Sequence, residues 1–520
     1  MMRRAALTVA SAALYAAAFP PLALHALAWV ALVPLLVALR GASVRCAVGL
    51  GTLWAVVAAE GVGTWFATGV ARYYDRPLAL GALCFAAVAL ILAAPFYAAF
   101  AATYAHLVRD SRLRPLDALW VPAAWVACEL ARARFLVGNP WALLGYSQVG
   151  WTPLVQVADV TGIYGVTFVL AAANGAIAAC MDGSVAMRVR RRALAIATAL
   201  AVVALGYGGV ALTRSPPAGQ PLTIAVVQAS ADIGPAWRPE LYGANLDTYL
   251  QLSSVALRDA HPDVVVWPES AVTFFLEDER AYRAAIARVF GGSGAHLIVG
   301  GPAHDGGDVA ADRRSDVADH DGTRYFNSAF LVDADASILA RYDKVRLVPF
   351  GEYFPLPALE PLSRRFAATR TFTAGNVPAP LVDGGRAFGI VICFEAMYPE
   401  LVSEQVVRGA TLLVNITNDA WMGDTSFAPL HLAIASLRAV ENRRYLVRAA
   451  ATGISAVVDP FGRTIAEIPA FTRGVRTVGV RALTDTTFYT RYGDVFALAC
   501  AVATAALLVA GRPRRRTRRS

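Results

Sequence analysis

Residues 389–395 read Gly389-Ile390-Val391-Ile392-Cys393-Phe394-Glu395, a short apolar run that ends in a thiol and a carboxylate. A brief apolar run with polar residues at its end is the pattern of a buried strand in a sheet covered by helices. Two other stretches have the same form. Val264–Val266 leads into Trp267-Pro268-Glu269-Ser270, and Tyr342-Asp343-Lys344 precedes Leu347-Val348-Pro349-Phe350-Gly351-Glu352. A thiol, a carboxylate and an amine, each delivered where an apolar strand emerges, are the parts of a nucleophilic centre. Taken singly, Glu269 also reads as a helix cap and Glu395 as a salt-bridge partner.

Around these stretches, residues 214–490 read as one globular domain. β-rich runs at Leu222–Ala229, Asp263–Pro268, His296–Gly301, Tyr325–Val332, Arg386–Cys393 and Thr411–Ile416 are followed by others near Leu446–Val458 and Arg476–Val480. Helical patterns fill Pro239–Asp259, Glu279–Phe290, Tyr398–Arg408 and Pro429–Asn442. This alternation predicts a layered α/β fold, not a sandwich of strands alone. The Asp-rich stretch Asp305–Asp321 lacks regular ligand spacing and reads as a solvated loop. No glycine loop precedes a helix to cradle a phosphate and no Cys/His cluster occurs, so the sequence calls for neither nucleotide nor metal.

Lys344 is the only lysine among 47 basic residues. Arginine serves wherever a cation has only to be solvated or paired. Lysine is a compact ammonium whose pKa moves readily in a pocket, which marks Lys344 for chemistry. Cys393 is the only cysteine between residues 214 and 490, so it forms no disulfide within that domain. Cys46, Cys84, Cys128, Cys180 and Cys500 lie in apolar segments, where a thiol is a small hydrophobe.

The rest of the chain belongs to a membrane. At 57% hydrophobic and 16% charged, 520 residues are too apolar for an ordinary soluble protein. Apolar segments fall near residues 5–19, 22–39, 46–69, 78–107, 116–131, 153–181 and 193–212, with another near 491–511. Most approach or exceed the ~20 residues a helix needs to cross a bilayer, so eight spans are expected. Arg3 and Arg4, Arg40 and Arg45, Arg109 to Arg114, Arg188 to Arg192 and the tail after Arg512 then share one side, the cytoplasmic one. The expected organisation is a seven-helix region over 1–213, an extracytoplasmic domain over 214–489, an eighth helix over 490–511 and a basic cytoplasmic tail over 512–520. Ala16-Ala17-Ala18 before Pro20-Pro21 could end a signal peptide, but the apolar pattern resumes at Leu22 and the arginine alternation needs both helices. The tail reads as an anchor facing anionic lipid instead of a nucleic-acid patch. Glu60 and Glu129, ionisable groups within spans, would be the pathway residues of a transporter, the competing reading of a different class.

Glu269, Lys344 and Cys393, in this order, resemble the Glu-Lys-Cys set of the nitrilase superfamily, whose fold is an αββα sandwich. Combined with the membrane segments on either side, the chain resembles the apolipoprotein N-acyltransferase family over essentially its whole length. Further matching stretches are Asn139-Pro140-Trp141…Gly145-Tyr146-Ser147-Gln148, Gln228…Trp237, Tyr325-Phe326-Asn327-Ser328, Thr417-Asn418-Asp419-Ala420-Trp421, Arg438–Arg443 and Gly453-Ile454-Ser455. Phe394 stands where the family often has tyrosine, Met422 where it has phenylalanine, and Thr452 where asparagine is usual. The resemblance implies that Cys393 takes an acyl group from a phospholipid and passes it to the N-terminal amine of a diacylated lipoprotein at an inner (plasma) membrane. Glu269 would be the base and Lys344 the oxyanion cation. Glu352 and Glu395 would orient Lys344 or tune its charge, and Trp237, Asn327, Phe394, Trp141 and Tyr146 would support or bind substrate. No cofactor and a monomer are expected. The same chemistry with water as acceptor would make a membrane-tethered amidase or nitrilase. His431, in the apolar helix start Pro429-Leu430-His431-Leu432, is the rival base, though a structural histidine fits that setting better.

Overall fold

The computed structural model describes residues 1–74, 76–109, 116–214, 218–231, 241–305, 323–349, 351–353, 371–423 and 425–510. Trp237, Phe350, nearly all of the Asp-rich stretch and the arginine tail lie outside them. The backbone divides into two compact units. One comprises Met1–Ala67, Pro77–Arg214 and Tyr492–Ser520; the other comprises Thr68–Arg76 and Ser215–Arg491.

The second unit holds two six-stranded sheets. Its strands are β1 (Gln220–Gln228), β2 (Val264–Val266), β3 (His296–Asp305), β4 (Arg324–Val332), β5 (Ile338–Asp343), β6 (Leu381–Asp383), β7 (Arg386–Ile392), β8 (Leu412–Thr417), β9 (Leu446–Ala450), β10 (Ser455–Val458), β11 (Thr464–Ile468) and β12 (Gly474–Ala482). The first sheet runs β12-β1-β2-β3-β4-β5 and the second β11-β10-β9-β8-β7-β6. In each the central strands are parallel: β1, β2 and β3 in one, β7, β8 and β9 in the other.

Side-chain alternation explains why the sheets stack. On β1, Ile224 and Val226 join Val264 and Val266 of β2 in a core shared with Ile390 and Ile392 of β7 and Val414 and Ile416 of β8. Their neighbours point the other way. Ala225, Val227, Val265 and Trp267 pack with Leu246 and Tyr249 of the helix Tyr242–Ala260 and with Ile286 and Phe290 of the helix Arg280–Phe290. Val391 and Leu413 pack with Val402 and Val406 of the helix Pro399–Val407 and with Ala435 and Ala439 of the helix Phe427–Asn442. Strands that are apolar on both faces can be buried only between a second sheet and a helical layer, and the result is an αββα sandwich. Three strands, β5, β6 and β11, lie outside the β-rich runs read from the sequence. The run near Leu446–Val458 is two antiparallel strands, β9 and β10, with a turn between them.

The first unit is helical, and here the expected count of eight spans is not met. Among the described residues three helices are long and apolar enough to cross a membrane: Val44–Val62, Ile163–Cys180 and Met187–Leu212. A pair, Leu78–Leu92 and Ala94–Leu107, bent by 50°, makes a fourth if it is one broken span. The other apolar segments fall short for local reasons. Residues 22–39 split into a 3-10 turn, His25–Trp29, and a seven-residue helix, Val33–Leu39, with Pro34 in its first turn. Asp117–Arg134 carries Asp117, Glu129, Arg132 and Arg134. The helices Met2–Ala17 and Val495–Ala510 have 16 residues each.

Candidate active site

Glu269, Lys344 and Cys393 come together in the α/β unit from three different strand ends. Glu269 follows β2, Lys344 follows β5, and Cys393 follows β7 as the first residue of a 3-10 turn, Cys393–Met397. Glu269 and Lys344 thus hang from one sheet and Cys393 from the other. All three are buried, at 5%, 1% and 5% exposure. The two charge-bearing groups, Glu269 and Lys344, are kept out of water, which is sustainable only because each is paired.

Lys344 Nζ lies 2.8 Å from Glu352 Oε1 and 3.6 Å from Glu269 Oε1. Asn327, on β4, ties the two carboxylates together: its Nδ2 donates to Glu269 Oε1 at 2.7 Å and to Glu352 Oε1 at 2.8 Å. The backbone N–H of Asn418, just past β8, donates to Glu269 Oε2 at 2.7 Å. Val348 N–H holds the other oxygen of Glu352 at 2.7 Å. Burial acts against the Lys344 ammonium, but Glu352 and Glu269 outweigh it and raise its pKa, so it stays charged. For Glu269 burial wins: its pKa is raised despite Lys344 and the two hydrogen bonds.

Burial also raises the pKa of the Cys393 thiol, with Glu269 adding to the effect and Lys344 opposing it. The resting group is therefore a neutral thiol that needs a base to attack. Of the carboxylates acting on it, Glu269 has the largest effect. Cys393 adopts φ +51°, the left-handed region that is unusual for any residue but glycine. Such a conformation turns a residue sharply away from its strand and is a recurrent mark of reacting groups.

The supporting residues divide. Glu352 and Asn327 belong to the cluster itself. Glu395 lies beneath it, fully buried, and accepts from Val345 N–H at 2.7 Å, Arg346 N–H at 3.1 Å, Ile392 N–H at 2.8 Å and the Tyr342 hydroxyl at 3.0 Å. It therefore does not pair with Lys344. It pins the backbone after Lys344 to the backbone before Cys393. Burial nevertheless pushes its pKa up to about 7. The Phe394 ring packs against the core between the sheets and lies 5.9 Å, edge-on, from Tyr398. Trp237 falls outside the described residues.

Trp141 and Tyr146 are buried within the helical unit. Their loop is held by Glu129, whose carboxylate accepts from Leu144 N–H at 2.8 Å, Trp125 Nε1 at 3.0 Å and Thr167 Oγ1 at 3.0 Å. Arg132 Nη2 donates to the Trp141 carbonyl at 2.8 Å. Glu129 is thus fully engaged in fixing this loop, an arrangement unlike a transport pathway. Among the described residues no cluster of His, Cys, Asp and Glu could hold a metal ion.

Sequence reading missed Tyr342 as the partner of Glu395 and Arg448 altogether. The one hint for Arg448 is a charge in the middle of an otherwise apolar strand, Leu446–Ala450.

Comparison with known proteins covers both units. A model of the apolipoprotein N-acyltransferase N-terminal domain matches residues 11–176, and a carbon-nitrogen hydrolase model matches residues 223–487. An apolipoprotein N-acyltransferase of Geobacter metallireducens is 36% identical over 97% of this chain and 94% of its own length. That of Azotobacter vinelandii is 33% identical over 94% and 91%. Of solved structures, an amidase from Nesterenkonia sp. aligns with a TM-score of 0.36 and 21% identity, over 52% of this chain and 95% of that one. With two relatives above 30% identity along nearly the whole of both chains, the protein belongs to the apolipoprotein N-acyltransferase family.

Proposed function

We propose that the chain is a membrane acyltransferase that moves a fatty acyl group from a phospholipid to the N-terminal α-amine of a diacylglyceryl-cysteine lipoprotein, through a thioester on Cys393. The observation that carries this reading is the buried Glu269–Lys344–Glu352 cluster around a lone thiol, in a chain that also holds membrane-length apolar helices. Glu269 takes the proton from the thiol as sulfur attacks the ester carbonyl. Lys344, held charged, faces the developing oxyanion. Collapse expels the lysophospholipid alkoxide, which receives the proton back from Glu269. The amine then attacks the thioester, gives up a proton to Glu269, and leaves with the acyl chain as an amide while the thiol is restored.

The one-sided arginines support an arrangement with the α/β unit extracytoplasmic, both termini cytoplasmic, and eight apolar segments in the bilayer, the shorter ones as broken passages or with the bilayer locally thinned. No cofactor enters these steps.

The test is to incubate the protein in detergent with phosphatidylethanolamine and a diacylated lipopeptide, and to follow Cys393 and the lipopeptide by mass spectrometry. One acyl group should appear on Cys393, vanish in Cys393→Ala, and transfer to the lipopeptide. Free fatty acid without a triacylated product would overturn the reading in favour of a hydrolase.

A further inference from the structure

A second polar network, separate from Glu269 and Lys344, reaches Cys393 from the helix Phe427–Asn442 and strand β9. His431 is completely buried on that helix. Its Nε2 lies 3.1 Å from the backbone carbonyl oxygen of Cys393. Its Nδ1 lies 3.2 Å from Arg448 Nη2 and 3.3 Å from Asp419 Oδ1. Arg448, also buried, donates through the same Nη2 to Asp419 Oδ2 at 2.8 Å and through Nη1 to Asn415 Oδ1. Asp419 Oδ1 accepts from the Thr417 hydroxyl at 2.9 Å.

These partners fix the protons on the ring. A carbonyl oxygen can only accept, so Nε2 must carry a hydrogen. At Nδ1 the Arg448 guanidinium is a donor, and Asp419 is already served by Thr417 and Arg448, so a neutral ring keeps the Arg448 bond and forgoes the longer contact to Asp419. Burial, with the Arg448 charge adding to it, holds the His431 pKa below its usual value, and Asp419 is held down to about 2, burial opposing but Arg448 prevailing. An imidazole whose Nε2–H is committed to a backbone carbonyl is not placed to take a thiol proton.

We propose that His431 is a positioning residue of the thiol centre: by donating its Nε2–H to the Cys393 carbonyl, with Arg448 and Asp419 holding the ring, it keeps Cys393 in its left-handed turn and aims the sulfur. The left-handed turn of Cys393 is conformationally costly for a residue with a Cβ and persists only where its surroundings hold it. The hydrogen bond from His431 acts on the carbonyl of the strained residue itself. Arg448 thereby steadies the reacting residue through His431 at the carbonyl. The proposal deepens the thioester reading and rests on it.

Two amides separate positioning from proton transfer. In His431→Gln the terminal amide nitrogen reaches the place of Nε2 and can still donate to the Cys393 carbonyl. In His431→Asn it reaches only the place of Nδ1 and leaves that carbonyl without its donor. Full-length wild type and both variants, in detergent, are compared for acyl uptake from phosphatidylethanolamine and for alkylation of Cys393 by iodoacetamide at pH 7. Each is also assayed for thermal unfolding. Positioning predicts that His431→Gln stays within about fivefold of wild type in both rates, while His431→Asn falls by at least about a hundredfold in acylation and measurably in alkylation. Equal loss of acylation in both variants with folding retained would make the imidazole a proton carrier and overturn the proposal; so would a His431→Asn protein as fast as wild type. Wild type that is alkylated at Cys393 but takes up no acyl group would instead sink the thioester reading. The Gln-against-Asn difference in alkylation would then still decide the positioning claim.

Discussion

At the scale of single residues, the chemistry is governed by which buried group holds a proton at rest. The Cys393 thiol and the Glu269 carboxyl are both pushed toward their neutral forms, chiefly by burial, while Lys344 stays charged against Glu352. A base must be ionised to act. Since the Glu269 pKa lies above the 4.5 of an unperturbed glutamate, the rate of acyl uptake should fall with falling pH in a limb set above that value. Glu269→Gln should lower the rate by about 10²–10⁴-fold and abolish the limb, as single-turnover acylation across pH would reveal. Glu269 and Cys393 were legible in the sequence because each follows an apolar strand, and Lys344 because it is the only lysine. Glu395 was legible as a site residue but not in its role. Only the fold shows that its carboxylate faces backbone N–H groups, because those contacts join residues 50 positions apart in sequence. Arg448 and the donor role of His431 were hidden for the same reason.

At the scale of elements, the turn Cys393–Met397 is held by Glu395 from below. Its Oε1 accepts from Val345 and Arg346 N–H and its Oε2 from Ile392 N–H. In Glu395→Gln the side-chain NH2 must face one of these N–H donors whichever way the amide is turned. The variant should lose about 1–3 kcal/mol, the cost of a buried unsatisfied donor, seen as a lower unfolding midpoint in detergent, and should acylate more slowly. There is a pH signature too. With a folded pKa of about 7 against 4.5 unfolded, Glu395 favours the folded state most below pH 4.5, and that contribution is lost as pH rises toward 7. Glu395→Gln should remove this component. Among the described residues, most strands of the α/β unit and the four helices that cover its sheets follow from the sequence, because runs buried on both faces leave strong apolar signals. The strands outside the read runs do not: β11 is exposed at three of its five residues, and β6 has only three residues.

At the scale of the whole molecule, the sequence separates an apolar helical part from an α/β part, and the backbone divides along nearly the same line, except that Thr68–Arg76 clusters with the α/β unit. The span count was less legible, because hydropathy averages over breaks. The split at residues 30–32 and the 50° bend at Ala93 are made by local geometry, not by loss of apolar character. The proposed topology is open to labelling. In a background with the exposed Cys84 replaced by alanine, Asp335→Cys on the β4–β5 turn should react with a membrane-impermeant maleimide in intact cells, and Ser520→Cys only after permeabilisation. The reverse pattern would place the α/β unit in the cytoplasm. Finally, Glu269 and Lys344 are borne by one ladder of hydrogen-bonded strands and Cys393 by the other, with apolar side chains such as Ile390, Val266 and Ile416 packed between the two. The proton's path crosses the seam between the sheets, tied at the site by Asn418 N–H on Glu269 and by Glu395, so its length depends on how those hydrocarbon surfaces mesh as well as on these few bonds. Trimming one methyl group there could slide the two halves of the reaction out of step while the protein remained folded.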